Sequence, residues 1–294
     1  MSGQAAKLAQ IMLSMGETLC KPFIWFASSI GGFFLGRFMG IAGIFAILWA
    51  TAFLAVRRSS WTLPVRRGFS RQVLFTAVDS IPASLRFAAV FGVLLIVQAA
   101  IWLDMVGGTP EVIAPVLWQV IVRELSPLLA CLVVIGRSGI AIGTELASMR
   151  AGGEIEILDS QGVDPMTYLV MPRILAVVLS VFCLSIIIAL TMIVTGYSVG
   201  RLMDVITMPW NDFFGEVSRR INLEDGVFFL SKTIVAGAFA GAICCITGLS
   251  IRGAVTDVPF VTSRVGIQAL TSVFVISAIL SIVFYGKLLV FKIG

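Results

Sequence analysis

Histidine is missing from all 294 residues. Its absence removes the commonest proton shuttle and metal ligand, and with it any Ser-His-Asp or Cys-His nucleophilic set. Charge is scarce as well, at 13% of residues against roughly a quarter in a soluble domain. There is no Gly-x-x-x-x-Gly-Lys-Ser/Thr loop, since Gly286-Lys287 lies in an apolar run without the earlier glycine. The chain therefore binds no nucleotide by that device. No segment of 20–50 residues repeats, so one copy supplies at most half of a two-fold pore. Cysteine is limited to five. Cys131, Cys183, Cys244 and Cys245 fall in apolar runs and Cys20 stands alone, a spacing that fits core packing rather than a metal site or disulfide framework. Lys7, Glu17 and Lys21 interrupt the N-terminal stretch, so no cleavable signal is expected there.

What remains is apolar. Hydrophobic residues make up 59% of the chain and the mean hydropathy is +1.03, values that predict an all-α, multi-pass membrane protein. The net charge of +5 is modest and the arginines cluster in loops, which suits orientation in a bilayer better than nucleic-acid binding.

Residues 1–35 are mixed and predict amphipathic or irregular structure at the interface. The run 38–56, bracketed by Arg37 and Arg57-Arg58, is long enough either to span or to lie re-entrant or in the membrane plane. Residues 1–60 thus form an N-terminal interfacial and membrane-embedded region, and 61–294 a transmembrane domain. Arg57, Arg58, Arg66, Arg67 and Arg71 make the densest basic cluster and predict a cytoplasmic loop. Spans are expected near 84–103, 113–135, 170–198, 232–251 and 266–290. The loop 104–111 carries Asp104 and Glu111 without a cation, as an outer loop should, and alternation also puts 199–231 outside despite Arg219 and Arg220.

Two features within this layout are candidates for function. Arg123 and Glu124 fall near the middle of the span 113–135, where a charge costs at least about 2.5–3.5 kcal/mol. Pro127 frees the Arg123 carbonyl and predicts a kink. These charges serve either a structural ion pair between helices or a hydrated cavity that receives substrate, and the bent backbone favours the cavity. In the first case the partner of Glu124 is Arg86 or Arg123 of a second copy. Gln98, on the preceding span, joins Arg123, Glu124 and Pro127 as a candidate cavity residue.

The second feature is the Gly-punctuated segment 137–169, too rich in Ile, Leu and Met for a solvated linker. Within it, Gly152-Gly153 and Gly162 bracket a short acidic helix over 154–161, with Ile155, Ile157 and Leu158 beside Glu154, Glu156 and Asp159. Such a helix fits a groove on a partner protein.

The ordered series Arg123-Glu124-Leu125-Ser126-Pro127, Gly136-Arg137-Ser138-Gly139, Glu145-Leu146, Met149-Arg150, Glu154-Ile155, Gly162-Val163-Asp164-Pro165 and Pro172-Arg173 resembles the MlaE/YrbE permeases, membrane subunits of ABC transporters that work with MCE-domain proteins on lipids. Ser126 replaces the family's usual Gly, and Gly152-Gly153 replaces a commoner Thr/Ser-Glu pair. The resemblance implies five transmembrane helices plus an N-terminal membrane-embedded or interfacial helix, with a cytoplasmic coupling helix between spans two and three. It implies a homodimer in the bacterial inner membrane, with an ABC ATPase dimer that holds ATP and Mg, and with a small ATPase-associated subunit. A periplasmic MCE hexamer, a lipid substrate and a part in outer-membrane lipid asymmetry follow in the same way. The chain itself would carry neither catalysis nor a cofactor. Glu145, Met149, Arg150, Glu154, Glu156, Asp159, Asp164 and Pro165 would form the ATPase-coupling element, and Arg123 and Glu124 would line a lipid cavity. Two rival readings are an ion-driven secondary transporter, which would want paired carboxylates at broken helices, and a membrane scaffold, which has no need of charges at depth.

Overall fold

A computed structural model describes residues 42–106, 118–203, 206, 209–219, 223–251 and 255–293. The expectations for residues 1–35, for the outer loop beyond Val106 and for Arg252 lie outside them. The chain divides into two units, 1–47 and 48–294, and only 42–47 of the first are among the described residues. Every regular element described is helical.

The helices are α1 (Ala42–Val56), α2 (Leu63–Thr76), α3 (Ile81–Val106), α4 (Gln119–Ala151), α5 (Glu154–Ser160), α6 (Met166–Leu202), α7 (Trp210–Arg219), α8 (Leu223–Leu249) and α9 (Val258–Ile293). Five stretches are long and apolar enough to cross a membrane: Leu63–Ala99, Gln119–Ala151, Met166–Leu202, Glu224–Leu249 and Val258–Tyr285. The five expected spans are all present, with the short acidic helix α5 between the second and third.

Proline placement explains where these helices deform. Pro64 and Pro82 sit at the starts of α2 and α3, where a missing N–H costs nothing. A 3-10 turn over Val78–Ser80 separates the two. Pro127 and Pro172 lie inside longer helices, and each is preceded by a π-helical turn, Gln119–Leu125 and Met166–Val170. A proline frees the carbonyl four residues earlier, here Arg123 and Tyr168, and a wider turn accommodates the gap. The kink expected at Pro127 takes this form.

A third π turn, Ile135–Gly139, carries α4 straight through Gly136-Arg137-Ser138-Gly139. The second span was expected to end near residue 135, yet helix continues to Ala151. Its 33 residues rise about 50 Å, well beyond a hydrocarbon core of about 30 Å. Gly139 persists there because α8 is close: a Cβ on it would lie 3.0 Å from the Cys244 sulfur.

α6 is the central post, packed against α2, α3, α4 and α8. It buries Ile174, Val177, Val181, Leu184, Ile188 and Met192. Apolar side chains gain little by leaving lipid for protein, so small residues that bring backbones together hold such bundles. Gly237 and Gly241 form a Gly-x-x-x-Gly stripe on α8, and a Cβ at Gly241 would lie 3.3 Å from the Ile174 Cα of α6. Gly92 of α3 and Gly196 of α6 meet likewise, as do Gly143 of α4 and Gly248 of α8.

Candidate functional site

The intramembrane charges lie where α4, α8 and α9 come together. Arg123 pairs with Asp225 through its Nε and Nη2. Glu124 accepts from the Lys232 ammonium at 2.5 Å and from the Ser281 hydroxyl at 2.8 and 3.1 Å, while Lys232 also donates to Ser281 at 3.0 Å. Asp225 and Lys232 are seven residues apart on α8, two turns that return to one face. One helix face therefore answers two adjacent charges of opposite sign on α4. Aromatic rings flank the pairs, with Lys232 Nζ 5.3 Å from the Phe228 centroid and the Arg123 guanidinium 5.9 Å from that of Tyr285. A cation over such a ring gains more as water is excluded.

Exposure differs sharply within the Glu124–Lys232 pair. The Lys232 side chain is 1% exposed, whereas that of Glu124 is 30% exposed. Glu124 is thus held by a cation, the first of the two arrangements weighed from the sequence, while part of its carboxylate stays exposed. The cation is neither Arg86, which stands exposed on α3, nor Arg123, but Lys232 of the same chain. Pro127 is buried one turn beyond. Gln98 occupies an exposed position on α3. The pairs are also nearer one end of the bundle than expected, because Asp225 lies in the first turn of α8 and α4 runs on to Ala151.

Asp225, Lys232 and Ser281 were not among the expected site residues. The span expected near 232–251 starts at Lys232, and a lysine beside an apolar run reads as a flank. The signal that could have found it is the seven-residue spacing from Asp225, opposite in sign and matching the Arg123-Glu124 doublet.

At the arginine-rich end, the expected coupling residues divide into four groups. Glu145 and Met149, on α4, both face Arg173 of α6, the former at 2.9 Å to Nη2 and the latter through its sulfur at 4.0 Å. Arg150 pairs with Glu156 at 3.0 Å, tying the end of α4 to α5. Asp164 accepts from the backbone N–H groups of Met166 and Thr167 at 3.1 and 3.2 Å and from the Thr167 hydroxyl at 2.6 Å. With Pro165 next, this is a capped helix start, which positions α6. α5 is anchored by buried Ile155 and exposes Glu154, Glu156, Ile157 and Asp159. Gly153 and Gly162 flank it at φ +74° and +77°, a region costly for residues with a Cβ.

Among the described residues, an all-helical bundle with five helices long enough to cross a membrane and charges paired inside it defines a polytopic membrane protein. Residues 69–283 match the family profile described as Permease MlaE, and the chain belongs to that family. A probable ABC transporter permease protein of Rickettsia felis is 30% identical over 240 residues, covering 81% of this chain and 85% of its own length. Another from Synechocystis is 29% identical over 218 residues, covering 74% and 81%. The chloroplastic protein trigalactosyldiacylglycerol 1 of Arabidopsis thaliana is 29% identical over 165 residues, covering 55% and 46%. The chain is thus an ABC transporter permease of the MlaE family.

Proposed function

We propose that this permease moves phospholipid or a related lipid between the bacterial inner membrane and a periplasmic MCE-domain partner, driven by a separate ATPase. The observation that carries this reading is Glu124, 30% exposed beside a fully buried lysine. An apolar bundle has no need of a half-open carboxylate, but an amphiphile with a polar head does. The chloroplast relative, named for a diacylglycerol lipid, supports the same substrate class. In this reading two copies meet across the two-fold axis that a single unrepeated chain implies, with an MCE hexamer on the outer side. An ATPase dimer, with its small associated subunit, sits on α5 and supplies ATP and Mg chemistry. Membership of an ABC permease family sets the ion-driven alternative aside. The test is ATP hydrolysis by the permease co-purified with its ATPase, with and without added phospholipid. Hydrolysis should rise with lipid, and Glu124→Gln should lower both the stimulation and the lipid that co-purifies. Hydrolysis indifferent to lipid in both proteins overturns the proposal.

A further inference from the structure

At the arginine-rich end, α2 lies across the junction of α4 and α6 and leaves a groove of about 530 Å³. That volume is in the range that accepts a headgroup-sized ligand. Arg71, Gln72 and Phe75 line it from α2, Glu145 from α4, and Tyr168 and Arg173 from α6. Arg173 is the unusual member. Its side chain is only 9% exposed, its Nη2 is held by Glu145, and its Nη1 has no hydrogen-bond partner among the described residues. A buried guanidinium N–H without an acceptor is costly, and native structures rarely leave one so. Across the groove Arg71 is exposed and makes no ion pair among the described residues. Two guanidinium groups and one carboxylate thus line the groove, and Arg71, Arg173 and Glu145 give it a formal charge of +1.

From this geometry we infer an accessory site for the phosphate of an anionic phospholipid, separate from the Glu124 site and independent of the transport reading. Arginine forks match phosphate oxygens, and basic pockets between spans at the positively biased face suit anionic headgroups. The lipid source is favoured over a soluble phosphate because the groove is half apolar. Phe75 and Tyr168 are 38% and 39% exposed, and Pro64, Leu169 and Pro172 line the groove beside them. Those surfaces suit a glycerol backbone and the first carbons of its chains. Glu145, exposed and already paired, orients Arg173 and repels a second anion.

The experiment follows phosphatidylglycerol retained by the full chain in detergent micelles, by native mass spectrometry, with phosphatidylcholine as the neutral comparison. Phosphatidylglycerol should be preferred. Arg71→Ala, at an exposed position where folding is little affected, should weaken its retention about tenfold, one charge-assisted hydrogen bond's worth. Arg71→Lys should keep most of it, Glu124→Gln should lower total lipid yet leave the preference for phosphatidylglycerol over phosphatidylcholine intact, and millimolar glycerol 1-phosphate should not displace it. Four results overturn the inference. Arg71→Ala could match the parent chain, or Glu124→Gln alone could abolish the preference for phosphatidylglycerol, assigning it to the intramembrane site. Glycerol phosphate could displace the lipid, marking a soluble-anion site. Arg71→Glu could cost ATPase co-purification while retention stays intact, making the groove a protein dock.

Discussion

Removing one member of a buried ion pair leaves the other charged and desolvated, whereas removing both is often close to neutral. Lys232 is the member that cannot reach water, and its partners are Glu124 and Ser281. Lys232→Met should therefore strand Glu124, though the 30% exposure of that carboxylate softens the effect. We expect a loss of about 2–3 kcal/mol, somewhat under the usual cost of breaking a buried pair. Adding Glu124→Gln to Lys232→Met should recover most of it, because a neutral amide beside a thioether leaves no unpaired charge. Melting of the detergent-solubilised chain measures both, and a double variant no more stable than Lys232→Met would remove the pair as the cause. Arg123 and Asp225 form a second pair nearby, and Lys232→Met should leave it in place.

Among the elements, α5 is built to be seen. Gly153 and Gly162 set its ends and Ile155 holds it down, while its carboxylates face outward. Its contact with the body through Arg150–Glu156 is exposed, at 43% and 56%, and so is worth little to stability. Reversing Glu154 and Glu156 to Arg should shift melting only slightly, by under about 1 kcal/mol. It should weaken association with the ATPase subunit, since like charge at a docked rim costs on-rate and affinity. Normal ATPase co-purification by the reversed protein would take coupling away from α5. This helix was legible in the sequence because glycines and acids punctuate it locally. The reach of α4 to Ala151 was not. Gly136 and Gly139 read as a helix end, and only the Cys244 side chain of α8, close to Gly139, explains a glycine within a continuing helix. Asp164 reads as an acidic contact residue in sequence, but its oxygens face its own helix start. Pairing was hidden for a different reason: Glu124 and Lys232 are 108 residues apart, and no local pattern says which faces of two helices meet.

For the molecule as a whole, the five spans were set by hydropathy, and their orientation rests on the arginines near one end. That bias puts 57–71, 137–169 and 252–265 in the cytoplasm, with 104–112 and 199–231 outside. Single cysteines at Thr109 and Ser160, in a background without the native ones, should then react with impermeant reagent from opposite sides of the membrane. Labelling from one side would reverse or break the scheme. The pairing of α4 with α8 also bears on how the protein is born. Synthesis delivers Arg123 and Glu124 to the bilayer 102 and 108 residues ahead of Asp225 and Lys232, and 157 separate Glu124 from Ser281. At about 5–20 residues per second, the first charged helix waits for its counter-charges for roughly 5–20 s. During that interval each charge costs a few kcal/mol in lipid. The nascent α4 must lodge beside the insertion machinery or at a watery edge until α8 arrives, and α8, carrying the opposite charges, is drawn in by the helix already waiting.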